Sequence, residues 1–226
     1  MNMTKTFTDI YDKNRWGGGS GSGSKFSADN KWYITQLRNI IDKNKIKTIA
    51  DLGCGDWEIM KHFTFKDDEK YKGIDCVESV IDSNNKKYNT PQVSFKQKDI
   101  SVDIPKGYDL VIIKDVIQHW DDEIIIPLLN KLLKYNKYVY SVNGYKFMRD
   151  KSKNNWIKRV RDKKYSYHPI SFDIAPFTKY KKYITDNEVR RAKQYVLLRQ
   201  PKKLIIKPKK KICYDDDYIE GEIILL

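Results

Sequence analysis

A chain of 226 residues, 40% hydrophobic and 13% aromatic, has the length and composition of one globular domain and shows no internal repeat, collagen-like period or coiled-coil period. No apolar run approaches the roughly 20 residues of a membrane span, and the N-terminal MNMTKTFTDIYDKN has no apolar signal-peptide stretch, so an intracellular, cytoplasmic location is expected. The formal net charge of +14 favours an acidic partner such as nucleic acid, a nucleotide-linked donor or an anionic surface, while lysine scattered among Asn, Ile and Tyr is equally the product of compositional bias on a solvated face.

Along the chain, Phe7 to Trp16 reads as a short helix, ended by the octapeptide GGGSGSGS at Gly17 to Ser24. By composition that segment is a flexible linker; beside a ligand, its closely spaced backbone amides would form an anion-binding element instead. From Ser27, Ile34, Leu37, Ile40 and Ile41 recur at helical spacing after a Ser27 or Asp29 cap. Lys47 to Leu52 is then a short apolar strand running into GCGDW, with a helix expected at Glu58 to Phe63. Further strands are expected at Tyr71 to Asp75, Val93 to Gln97, Tyr108 to Ile113 and Tyr138 to Val142, and helices at Val77 to Lys87 and Asp121 to Lys134. This alternation predicts an α/β fold with a mostly parallel sheet covered by helices on both faces. Late strands at Tyr195 to Arg199 and Leu204 to Ile206 would close the sheet. The domain is placed at 1–200, with the Gly/Ser loop at 16–24, and 201–226 is read as a charged tail carrying KPKKK and DDD.

Cys54, Cys76 and Cys213 are odd in number and never paired as CxxC, so neither a disulfide framework nor a metal site is encoded. In an open α/β sheet the ligand lies beyond the carboxyl ends of the strands. Gly53 and Gly55 permit a sharp turn and a close ligand, and Asp51 can accept from an amine. An ordinary tight turn would look the same. The spacing adds weight: Asp75 ends a strand about 20 residues after the glycine turn, where a ribose hydroxyl pair requires an acid. Asp99 follows another strand, where its carboxylate can accept from an adenine amine while Ile100 covers the ring. GCGDWE lacks the GxGxxG of a dinucleotide-binding dehydrogenase.

In order, DLGCGDW, GID, KDI and YDLVIIKDVIQHW resemble the motifs of class I S-adenosylmethionine-dependent methyltransferases over Ile49 to Trp120. The resemblance implies a Rossmann-like fold with a mostly parallel seven-stranded sheet. It also implies S-adenosylmethionine as cofactor, with Asp51, Gly53 and Gly55 on its methionine side, Asp75 at the ribose, Asp99 and Ile100 at the adenine, and Cys54, Trp57, Cys76 and Lys114 as further contacts. IYDKNRWGGGSGSGS together with a later YHPISFDIAPF is similar to a narrower group of small methyltransferases that includes sugar O-methyltransferases acting on glycans. In that group the Gly/Ser loop closes over the cofactor, which makes Trp16, Gly21, Ser22, Gly23 and Ser24 expected contacts. The lysine-rich stretch before YHPISFDIAPF and the tail beyond Gln200 depart from that pattern.

Methyl transfer to a hydroxyl requires a held nucleophile and a general base. His119 is the first candidate for that base, with Asp115 as its orienter or as the base itself; the alternative for His119 is capping or packing the helix that begins at Asp121. Asp121 and Asp122 read as helix N-terminal residues rather than metal ligands. Trp120, Tyr145, Arg149, His168 and Phe172 are the expected acceptor contacts, their aromatic faces and polar edges suiting a sugar ring or a stacked base. A saccharide, glycan or nucleotide-sugar acceptor leads. The rivals are a ribose- or cap-methylating enzyme using the basic Lys202 to Lys211 cluster for phosphate contacts, and a non-catalytic module that keeps the fold. No DPPY- or NPPF-type motif stands where KDVIQHW does, which argues against base N-methylation.

Overall fold

The computed structural model describes residues 3–144, 170–190, 193–200, 204–207 and 222–225. Helix α1 spans Met3–Asp12, α2 Ala28–Asn44, α3 Glu78–Tyr88 and α4 Asp122–Tyr135. The strands are β1 Thr48–Leu52, β2 Lys70–Asp75, β3 Val93–Gln97, β4 Leu110–Lys114, β5 Tyr138–Gly144, β6 Ile184–Arg190, β7 Lys193–Arg199, β8 Leu204–Lys207 and β9 Glu222–Leu225. Seven of them form one sheet in the order β3-β2-β1-β4-β5-β7-β6. Pairing is parallel from β3 to β5, while β7 runs antiparallel to β5 and β6 antiparallel to β7.

Period-two alternation along each strand builds a core on each face. Val111 and Ile113 of β4, with Val196 and Leu198 of β7, pack on one side against Leu129, Leu132 and Leu133 of α4. Leu110 and Ile112, with Tyr195 and Leu197, pack on the other against Tyr33, Leu37 and Ile41 of α2. Helix α2 begins where the Ser27 hydroxyl accepts from the Asn30 N–H at 3.3 Å, and it ends at Lys45 in the left-handed region (φ 52°).

Several expectations are corrected here. Glu58 to Phe63 forms only a short 3-10 turn at Met60–His62, because Trp57 just before it sits at φ 61°, a left-handed backbone that cannot enter a right-handed helix directly. The first helix begins at Met3 and stops at Asp12, leaving Trp16 in the loop beyond it. The outermost strand is Ile184–Arg190, whose ITDNEVR sequence is polar because it lies exposed at the sheet edge. Leu204 to Ile206 is a strand, yet it pairs with Glu222–Leu225 in a separate two-stranded sheet and does not close the main one. No helix among the described residues is long and apolar enough to cross a membrane.

All five parallel strands deliver their carboxyl ends to one edge. Because β7 is reversed, its first residue, Lys193, arrives at the same edge, paired with Gly144. Helix α1 and the Gly/Ser loop lie over that edge, where Met3 is buried and the Thr4 hydroxyl donates to Asp99 at 3.3 Å.

Candidate active site

The turn after β1 is set by its glycines. Gly53 lies at φ 72°, and a Cβ there would come within 2.3 Å of Val116 Cγ2; Gly55 lies at φ 54°, and a Cβ there would fall 2.2 Å from Ser20 Oγ. The turn is closed from the second strand: buried Asp75 accepts the Gly55 N–H on Oδ2 and the Val77 N–H on Oδ1, each at 3.1 Å. Burial pushes the Asp75 carboxyl above the usual range against the pull of those amides. Asn84 of α3 donates to the Gly55 carbonyl at 2.7 Å.

Asp51, buried in β1, accepts the Tyr71 hydroxyl at 2.6 Å, and burial raises its carboxyl to about 6. Asp99 accepts from the Ser101 N–H at 2.9 Å and the Ser101 hydroxyl at 2.6 Å, while Ile100 beside it is buried. Burial also raises the thiols of Cys54 and Cys76, the latter to about 12, so both are neutral at physiological pH.

The Gly/Ser loop is docked rather than loose. Ser20 and Asp56 exchange backbone-to-side-chain hydrogen bonds, Tyr11 shares a 2.6 Å hydrogen bond with the Ser20 hydroxyl, and Asn30 donates to the carbonyls of Gly23 and Lys25. Trp16 then stands against Phe7, Tyr11 and His119, with ring centroids 5.7 to 6.0 Å apart.

These elements enclose a cavity of about 720 Å³. Trp16, Gly21, Gly23, Ser24, Gly53, Gly55, Asp75, Cys76, Asp99, Ile100, Lys114, Asp115, His119 and Trp120 all line it. Asp51, Cys54 and Trp57 line a smaller adjoining pocket that shares Ser24, Gly53 and Lys114 with it. Phe172, expected at the acceptor, instead packs against Phe177 and Tyr180 in the core and is not among the lining residues. Tyr145, Arg149 and His168 lie outside the described residues, as does the Ser22 side chain. Several wall residues were not anticipated. Met3, Phe7, Ile10 and Tyr11 of α1 were legible as a helical stripe, but Lys193 and Lys98 carried no local signal.

Asp115 occupies a left-handed conformation (φ 60°), and its Oδ2 accepts from both Lys114, at 2.6 Å, and Lys193. The two ammonium groups hold its carboxyl down at about 2 despite burial, which makes it a poor proton acceptor near neutral pH. Lys114 also donates to the Gly23 carbonyl at 3.3 Å, tying β4 to the Gly/Ser loop.

Three buried or half-buried carboxylates at successive strand ends, facing a glycine turn with no room for a Cβ, make a set of acceptors suited to an amine, a ribose diol and an adenine amine. Residues 50–156, just under half of the chain, match the methyltransferase domain family. That segment is a methyltransferase domain, and the sheet around it has the fold of S-adenosylmethionine-dependent methyltransferases. No curated protein matches it in sequence. Among solved structures it is similar to magnesium protoporphyrin IX methyltransferase from Synechocystis PCC 6803 with bound SAH, at 13% identity and TM-score 0.57, over 87% of this chain and 99% of that one. It is also similar to the N-terminal domain of EvdMO1 in the presence of SAH and D-fucose, at 11% identity and TM-score 0.56, over 89% and 98%. The mitomycin 7-O-methyltransferase MmcR matches at 12% identity and TM-score 0.55, over 87% of this chain and 60% of that one. At these identities the likeness establishes a shared fold.

The residues present fit the cofactor. Asp75 is a buried carboxylate at the end of β2 with acceptor oxygens suited to a ribose hydroxyl pair, and Gly53 and Gly55 leave the backbone exposed to the cavity.

Proposed function

We propose that the enzyme O-methylates a hydroxyl of a sugar or glycan, with His119 as general base. The observation that carries this reading is the position of His119 on the cavity wall just past β4, among the rings of Phe7 and Trp16. Those rings offer apolar faces on which a sugar's C–H surface can lie. S-adenosylmethionine, when bound, supplies an electrophilic methyl group on a sulfonium.

His119 takes the hydroxyl proton as the oxygen–methyl bond forms, since a neutral imidazole is a competent acceptor near pH 7. Asp115 does not share that role, because its carboxylate is engaged by Lys114 and Lys193; it fixes the two lysines instead. Gln118 accepts the Gly144 N–H at 2.7 Å and thereby holds the turn carrying His119 against the end of β5. Two proteins of similar fold support this reading: the mitomycin 7-O-methyltransferase favours a hydroxyl acceptor, and the EvdMO1 domain was studied in the presence of D-fucose.

The test is methyl transfer from S-adenosylmethionine to two panels, simple and activated sugars against short RNA and DNA, with His119→Ala as control. Turnover of a sugar that falls about 100-fold or more in the variant supports the reading. Turnover confined to nucleic acid overturns it in favour of ribose or cap methylation, for which the net charge of +14 would then be the relevant signal.

A further inference from the structure

Two lysines converge on one carboxylate in the cavity wall. The Lys114 and Lys193 ammonium groups both donate to the same oxygen of Asp115, and the three side chains are only 10%, 27% and 21% exposed. The cluster thus carries one positive charge more than it neutralises, in a place where water is largely excluded. A partly desolvated ammonium without a full counter-charge is costly to maintain. Burial lowers the proton affinity of Lys193 more than its hydrogen bond to Asp115 restores it, as expected of a cation short of an anion.

The two lysines reach Asp115 from different strands, and their ammonium groups stand side by side. Lys114 reaches toward the cofactor side, where it bonds the Gly23 carbonyl and stands over the Tyr33 ring at 5.8 Å. Lys193 begins β7, three strands across the sheet from β1, a span of about 14 Å. The carboxylates suited to the cofactor end β1 and β2 and follow β3, so the Lys193 backbone enters from the opposite side, against the end of β5, while its ammonium meets that of Lys114 at Asp115 and lies 4.0 Å from where a Gly23 Cβ would stand. An under-neutralised cation in a largely dry part of the cavity wall describes a place for an oxyanion.

We infer that the acceptor is an anionic saccharide, bearing a phosphate or carboxylate group that Lys193 binds while the hydroxyl to be methylated faces His119. This deepens the saccharide reading and rests on it. The same chemistry could be met by the carboxylate of the cofactor's own amino-acid end, and the experiment separates the two sources.

Methyl transfer is measured on matched sets, glucose, galactose and mannose each beside its uronate and its 1-phosphate, with wild type, Lys193→Gln and Lys193→Arg. S-adenosylmethionine affinity is measured by calorimetry on the same proteins. The expected result is turnover of an anionic member over its neutral parent. Lys193→Gln should raise KM for that acceptor about 10- to 100-fold, Lys193→Arg should recover most of the loss, and cofactor Kd should stay within about twofold. Equal efficiency on neutral and anionic sugars overturns the inference and leaves the saccharide reading intact. A Lys193→Gln loss that appears equally in cofactor Kd overturns it too, assigning the lysine to the cofactor. Turnover of no saccharide overturns both.

Discussion

Ser20 and Asp56 hold one another reciprocally: the Ser20 N–H donates to Asp56 Oδ2 at 2.9 Å, and the Asp56 N–H donates to Ser20 Oγ at 2.8 Å. The pair fastens the Gly/Ser loop to the β1 turn, so that a segment whose composition reads as a linker becomes a wall of the cavity. The fit is close, because a Cβ at Gly19 would fall 2.0 Å from Asp56 Oδ2.

Ser20→Ala removes the acceptor of the Asp56 N–H and the partner of the Tyr11 hydroxyl. At roughly 1 kcal/mol for each hydrogen bond, S-adenosylmethionine affinity is expected to fall about 5- to 30-fold in calorimetry, with little change in Tm. An unaltered Kd would show that the loop does not take part in holding the cofactor.

Asp51 gives a pH signature. Its value of about 6 lies above the ordinary carboxylate range, so the ionised form that would hold the cofactor's ammonium is lost as pH falls through 6. Affinity for S-adenosylmethionine should drop about tenfold between pH 7 and pH 5, and Tyr71→Phe, which deletes the 2.6 Å hydrogen bond to the carboxylate, should move the midpoint upward. Stability has the opposite sign. A buried carboxyl with a raised value destabilises the fold fully above about 6 and progressively less as pH falls toward about 4, so Asp51→Asn should raise the Tm of the cofactor-free protein at neutral pH while weakening cofactor binding. A flat pH profile would remove Asp51 from the methionine end of the site.

Much of this site was legible because its residues are local in sequence. Asp51, Gly53, Gly55, Asp75 and Asp99 each close or follow a strand whose apolar run marks it, and the strand-end rule then places them together. Lys193 was not legible, since it meets Asp115 across 78 positions, and nothing in KQYVLLR marks its first residue. The edge strand Ile184–Arg190 was missed because an exposed edge has no buried face to impose alternation. A helix was expected from Phe7 onward, but nothing in the sequence showed that it begins at Met3 or that its apolar face lines the ligand cavity.

A prediction away from the site concerns Arg38 and Glu69. The guanidinium grips the carboxylate at 2.7 and 3.0 Å, and Glu69 is 1% exposed. Arg38→Met strands a buried charge, at a cost of about 3 kcal/mol, which corresponds to a Tm lower by roughly 10 °C for a domain of this size. Scanning calorimetry should show that drop, and the double variant with Glu69→Gln should recover most of it. Cofactor affinity well below the transition should be unchanged in both. A single variant as stable as wild type would show that the pair is structurally idle.

The central claim is that S-adenosylmethionine occupies the cavity with its ribose on Asp75, and titration calorimetry of the cofactor into wild type and Asp75→Ala tests it most directly. Wild type is expected to bind saturably at one to one and the variant roughly 100-fold more weakly, since two charge-assisted hydrogen bonds to the ribose diol are lost. Wild-type protein that binds no cofactor, or a variant that binds it equally well, would contradict the account.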